Sequence, residues 1–191
     1  MLPILTIFIV LIVVLTYHIK KSDAAQAQVQ EDFWEKERLS NAVRKQDISK
    51  LDYITIPLEK IPHRLHTQTE DAFFALADKT MANLTGISNT DLKLQYGTAN
   101  LALLSEYDVN FTEMVSLLPD YTTELLEAGD TDTARMLLEF AVASRADSRR
   151  IYQQLAEIYR SCGNTDGLEY LRKSCESLPQ YTRLAILKDL A

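Results

Sequence analysis

His63 and His66 stand three residues apart, directly after Pro62. On one helix face, two imidazoles at that spacing would bind a divalent metal if a carboxylate joined them. Only Arg64 and Leu65 separate the pair, and Glu59 is the one acid within four residues upstream, so a solvated or capping role at a helix start is favoured and no metal is assigned. Cys162 as a nucleophile would need a nearby base, and its place at the end of a helix predicts burial. The chain has 5 glycines, none in the spacing of a phosphate-binding loop. No serine sits in a recognisable nucleophile turn. These residues favour a protein without catalysis and without a cofactor.

The elements that would position any site are clearest in the last seventy residues. Asp120 to Ala146 and Gln154 to Gln180 are self-similar, and their turn glycines, Gly129 and Gly163, lie 34 residues apart. Ile151, Leu155, Ile158 and Cys162 trace one helical stripe, and Leu168, Leu171, Cys175 and Leu178 trace another. Small residues at Ala141, Ala156 and Cys175 allow close helix approach. Asp130 and Asn164, each just after its glycine, are natural N-caps for the following helix. A helix pair of this length cannot bury its own apolar face, so it must stack on neighbours and leave a concave surface.

With Tyr152, Leu155, Ala156, Tyr159, Gly163, Cys175 and Pro179 in one copy, and Ala134, Leu138 and Ala141 in the other, the stretch resembles the tetratricopeptide repeat family. Pro179 falls one residue early. Arg172 stands where a large apolar residue is expected and Leu168 where Ala is expected, so Leu171 is the candidate for that packing. The resemblance implies a right-handed superhelical stack whose first helices line a groove. It places Arg150, Gln153, Glu157 and Arg160 on the groove face, a mixed-charge surface suited to a polar or partly acidic peptide of a protein partner.

Leu2 to Tyr17 is apolar but for Thr6 and Thr16, and with His18 and Ile19 it reaches the length that spans a bilayer. A cleaved leader is the competing reading, with Ala25-Gln26-Ala27 as its cleavage site. No basic region precedes the apolar run, and Lys20 and Lys21 separate it from that site, which favours an uncleaved anchor. Lys20, Lys21, Lys36 and Arg38 follow the run, so the remainder is expected on the cytoplasmic side. Setting aside Lys20 and Lys21 leaves 18 basic against 27 acidic residues, a net charge near −9, which argues against nucleic acid and anionic lipid as partners. Cys162 and Cys175 suit buried thiols better than a disulfide framework, although a bridge between them stays open. Asn83-Leu-Thr85 and Asn110-Phe-Thr112 match the glycosylation pattern, and matches this short arise by chance.

Between anchor and repeats, Ser22 to Asp47 is polar and rich in helix formers, and Phe33 and Trp34 within it are either a partner contact or, the favoured reading, docked back on the domain. Asp52 to Pro62 alternates Ile54, Ile56 and Leu58, but a lone strand makes no sheet, so an extended strap is expected. Three helices should follow. Phe73 to Leu84 marks one ending at Gly86, Leu92 to Leu103 one capped by Ser88, Asn89 or Thr90, and Phe111 to Leu118 one stopped by Pro119. The sequence thus predicts an all-α chain: a transmembrane anchor over 1–21, a polar juxtamembrane helix over 22–51, and a strap over 52–67. Helices over 68–119 could form a degenerate repeat, and repeats with a capping helix from Tyr181 to Leu190 fill 120–191. The function expected is a membrane-anchored protein-binding scaffold, with a permanently packed structural subunit of a membrane complex as the alternative.

Overall fold

The computed structural model describes residues 2–190, with side chains described from Ile7 to Leu190. The chain is mostly helical, as expected, and divides into two compact units. One comprises the chain up to Gln46 together with Ser88–Leu101; the other comprises Asp47–Ile87 and the chain from Ala102 onward.

The first unit is built on α1, Leu2–Ala42, a continuous helix of 41 residues. At 1.5 Å per residue it is roughly 60 Å long. The expected membrane segment and the juxtamembrane segment as far as Ala42 are therefore one helix, while residues 43–51, expected to belong to the juxtamembrane helix, are not helical. From Ile7 to Leu15 its apolar side chains are exposed on every face. Among the described residues no helix is long and apolar enough to cross a membrane, and the side chains of residues 2–6, the head of the expected span, lie outside them. Phe33 and Trp34, expected to be docked, are 52% and 59% exposed and pair edge to face at 5.3 Å. The last turns of α1 hold α3, Asn89–Tyr96, whose cap is Ser88. Buried Lys93 donates to Glu37 and, at 3.0 Å, to Asn41; Thr90 donates to Glu37 at 2.8 Å. The Lys93 ammonium, then the Thr90 hydroxyl, holds the Glu37 carboxyl below its usual range. Gly97 is required here: its φ of 84° lies in the left-handed region, and a Cβ would run into the Arg44 carbonyl.

In the second unit the strap is not alone. β1, Tyr53–Ile54, pairs antiparallel with β2, Met81–Ala82, so the expected lone strand has a partner. That partner was hidden because Met81 and Leu84 also fit the helical period begun at Phe73. The helix there, α2 (Gln68–Ala75), is much shorter than expected. Ile56 and Ile61 of the strap are buried in the core, while Leu58–Lys60 forms one 3-10 turn.

α4, Leu101–Glu127, runs straight through Pro119, which does not stop it. An interior proline removes one helical hydrogen bond and costs about 3 kcal/mol. Burial of Leu118 and Pro119 on the core side offsets this; separately, the Pro119 carbonyl accepts from Thr123 Oγ1 at 2.7 Å and Gln154 Nε2 at 2.9 Å. Two helical hairpins follow in sequence: α4 turns into α5 (Thr131–Ala143), and α6 (Arg149–Ser161) turns into α7 (Thr165–Ser174).

The two hairpin turns are the same turn. Asp130 N–H donates to the Leu125 carbonyl and Asn164 N–H to the Tyr159 carbonyl, both at 2.8 Å. Gly129 and Gly163 both have positive φ, and Asp130 and Asn164 both cap the next helix, accepting from the amides of Thr133 and Gly167. Each pair of equivalent residues is offset by the same 34 positions as the glycines. Leu171 is fully buried where the sequence carries Arg172 one position on. Gly167, one position before Leu168, supplies the small contact: a Cβ there would lie 2.7 Å from the Tyr159 ring. α8, Gln180–Asp189, packs on α6.

Candidate functional site

α6 carries all four residues expected on the groove face. Ile151, Tyr152, Leu155, Ala156, Ile158 and Tyr159 are buried and fix the rotation of the helix, which turns Arg150, Glu157 and Arg160 outward and leaves Gln153 half-buried. Arg150 pairs with Asp120 of α4 at 2.8 Å, and both side chains remain more than half exposed. Gln153 donates to Asp189 Oδ2 at 2.9 Å, and Arg160 donates to the Asp189 carbonyl at 2.6 Å. Arg149, not singled out from the sequence, makes a two-pronged pair with the Asp189 carboxylate at 2.6 and 2.7 Å. The Arg149 guanidinium holds the Asp189 carboxyl below its usual range. Glu157 is exposed. The face is therefore brought together on one helix, and two of the chain's own aspartates lie against its basic groups. Nothing in the sequence near Asp189 signalled this contact, because it depends on how α8 returns onto α6.

The histidines are placed differently from the expectation. His63 and His66 lie in the loop before α2 rather than on a helix, and the acids that meet them are downstream. His66 has a φ of 52°, which folds the loop back so that the two rings stand 5.3 Å apart. Thr67 caps α2, and Glu70 in its first turn points back into the loop. Glu70 is wholly buried; it accepts from the amides of His66 at 2.7 Å and Arg64 at 3.2 Å and from the Tyr121 hydroxyl at 3.1 Å. His63 Nε2 lies 2.9 Å from Asp71 Oδ1 and 3.5 Å from Glu70 Oε2, with its ring stacked on Phe74 at 4.5 Å. Burial opposes ionisation of Glu70, but the His66 and Arg64 amides, then Tyr121 and His63, outweigh it and leave its carboxyl below the ordinary range. Burial and then the Glu70 carboxylate push the Tyr121 phenol up.

Both cysteines are free. Cys175 is buried and its thiol is pushed up by burial, whereas Cys162 is exposed, contrary to expectation, because it caps the end of α6 outside its buried stripe. The two asparagines of the glycosylation pattern are structural. Asn83 donates to the carbonyls of Ser144 and Arg145 at the end of α5, at 2.9 and 3.0 Å, and Asn110 is buried and donates to the Thr80 carbonyl at 3.0 Å. An open cavity of about 370 Å³ lies between Asp52–Thr55 of the strap and the end of α5, with Asp52 and Arg145 as its charged groups. No protein-family model, curated protein or solved structure matches this chain.

Proposed function

We propose that the chain is a membrane-anchored, non-catalytic docking protein whose tetratricopeptide-like hairpins present the polar face of α6 to a partner protein. The observation that carries the reading is the pair of identical hairpin turns 34 residues apart, which supports a stacked repeat with one helix face turned outward. The chemistry of the partner follows from that face. Arg149, Arg150 and Arg160 are already met by Asp120 and Asp189. An extended peptide with spaced carboxylates would meet the same groups, in competition with α8.

The anchor is α1. Its apolar residues from Ile7 to Leu15 bury nothing within the protein, and Thr16 satisfies its hydroxyl on the Ile12 carbonyl at 2.7 Å, the arrangement that suits a hydrocarbon environment. Lys20 and Lys21, midway along α1 just after its apolar run, favour a cytoplasmic hairpin domain. The test is affinity capture from detergent extract with the wild-type chain beside an Arg150→Ala, Glu157→Ala, Arg160→Ala variant. Loss of specific partners in the variant supports the reading, and an unchanged set removes the groove.

A second reading is favoured by α8. Tyr181 is 88% exposed and Leu184 is 56% exposed, one helical turn apart. Apolar side chains so placed suit a permanently packed subunit of a membrane complex. Co-migration of the whole cellular pool with a stoichiometric assembly, released by Tyr181→Ser with Leu184→Ser, would favour this reading over transient docking.

A further inference from the structure

We propose that His63, His66 and Glu70, with Asp71 as a fourth donor, form a binding site for a divalent ion of the zinc class. One ligand atom from each of the first three lies within 4.8 Å of the others. Closing on an ion at about 2.0–2.1 Å asks each exposed imidazole to move by about 1 Å. Glu70 needs no such movement: its amide and phenol donors fix the carboxylate in place, and its Oε2 faces His63 Nε2 at 3.5 Å. Asp71 Oδ1 approaches the same nitrogen at 2.9 Å, so His63 Nε2 sits between two carboxylates.

His66 is not needed for the cap. Thr67 caps α2, and the residue-66 amide that Glu70 accepts from would be supplied by any residue but proline. His66 takes a left-handed φ of 52°, which sets its ring beside that of His63. Among the described residues its imidazole takes no hydrogen-bond partner. Two imidazoles with carboxylate oxygens suit zinc rather than calcium or magnesium, which favour oxygen alone. The exposed ring edges leave room for water at any open position. Such an ion would tie the strap to α2 and, through Glu70 and Tyr121, to α4; the inference is independent of the docking reading.

The test is isothermal titration of zinc chloride into the full chain in detergent micelles, after chelator treatment and in a Cys162→Ser background that removes the exposed thiol. One equivalent should bind, and magnesium and calcium should give no saturable heat. His63→Gln and His66→Gln should each weaken binding by about tenfold or more, and Tyr121→Phe, which frees Glu70 without touching the ion, by about tenfold. Circular dichroism checks that each variant is folded. Absence of saturable zinc binding by the parent protein, or binding by either histidine variant as tight as the parent's, would overturn the site.

Discussion

The Tyr121 hydroxyl donates to Glu70 Oε1 at 3.1 Å, linking α4 to the first turn of α2 inside the core. Replacing Glu70 by Ala strands that phenol and the amides of Arg64 and His66, which should cost about 3 kcal/mol in chemical denaturation.

The same carboxylate sets a pH dependence. Its folded pKa lies below the ordinary value, so its contribution to stability is complete above the unfolded pKa of about 4.3 and is lost as pH falls through the folded value. Denaturation midpoints of the wild type should therefore drop as pH falls below about 4.3, and the drop should be shallower in Glu70→Gln. Parallel pH profiles for the two proteins would show that Glu70 contributes no such linkage.

Gly167 tests the close approach of α6 and α7. A Cβ would meet the Tyr159 ring at 2.7 Å, and Tyr159 is anchored to Glu139 at 2.9 Å, so the ring has little freedom to yield. Gly167→Ala should destabilise by about 1–3 kcal/mol despite its better helix propensity. A thermal midpoint equal to or above wild type would mean that the helices are less closely packed.

The two cysteines give a packing and topology test together. Cys162 is exposed and Cys175 buried, so a thiol reagent should modify Cys162 in the native protein and Cys175 only after denaturation. In intact cells, an impermeant reagent should leave Cys162 unmodified until the membrane is permeabilised. Modification without permeabilisation would place the domain on the opposite side.

What the sequence made legible follows the range of the forces involved. The 34-residue offset of Gly129 and Gly163, and the caps at Asp130 and Asn164, are local chemistry and appear where expected. The helical character of the polar segment around Phe33 and Trp34 was also readable from helix-forming composition, whereas its end at Ala42 was not. Elements decided by distant partners were not. Pro119 stays helical because burial of Leu118 and Pro119 in the core offsets the lost bond, and Met81–Ala82 becomes a strand because Tyr53–Ile54 offers an edge. The four residues of the expected face all fall on α6, but the engagement of that helix by Asp189, and the turning of Glu70 toward His63, depend on contacts 29 or more and 7 residues apart through folded turns.

Asp189 also makes a prediction about binding. Its carboxylate holds Arg149 and Gln153 on α6, so Asp189→Ala should loosen α8 and leave those groups free. Hydrogen exchange in α8 should quicken, and capture of an acidic partner should increase severalfold. Quickened exchange with unchanged capture would separate the contact from docking.

The central claim is that α6 presents a docking face on a membrane-tethered domain. A photo-crosslinking residue placed at Glu157, in cells and at native expression, tests it most directly, with the same residue at Glu106 of α4 as control. The account predicts one discrete adduct from Glu157 that disappears with Arg150→Ala and Arg160→Ala. No adduct at Glu157, or the same adduct from both positions, would contradict it.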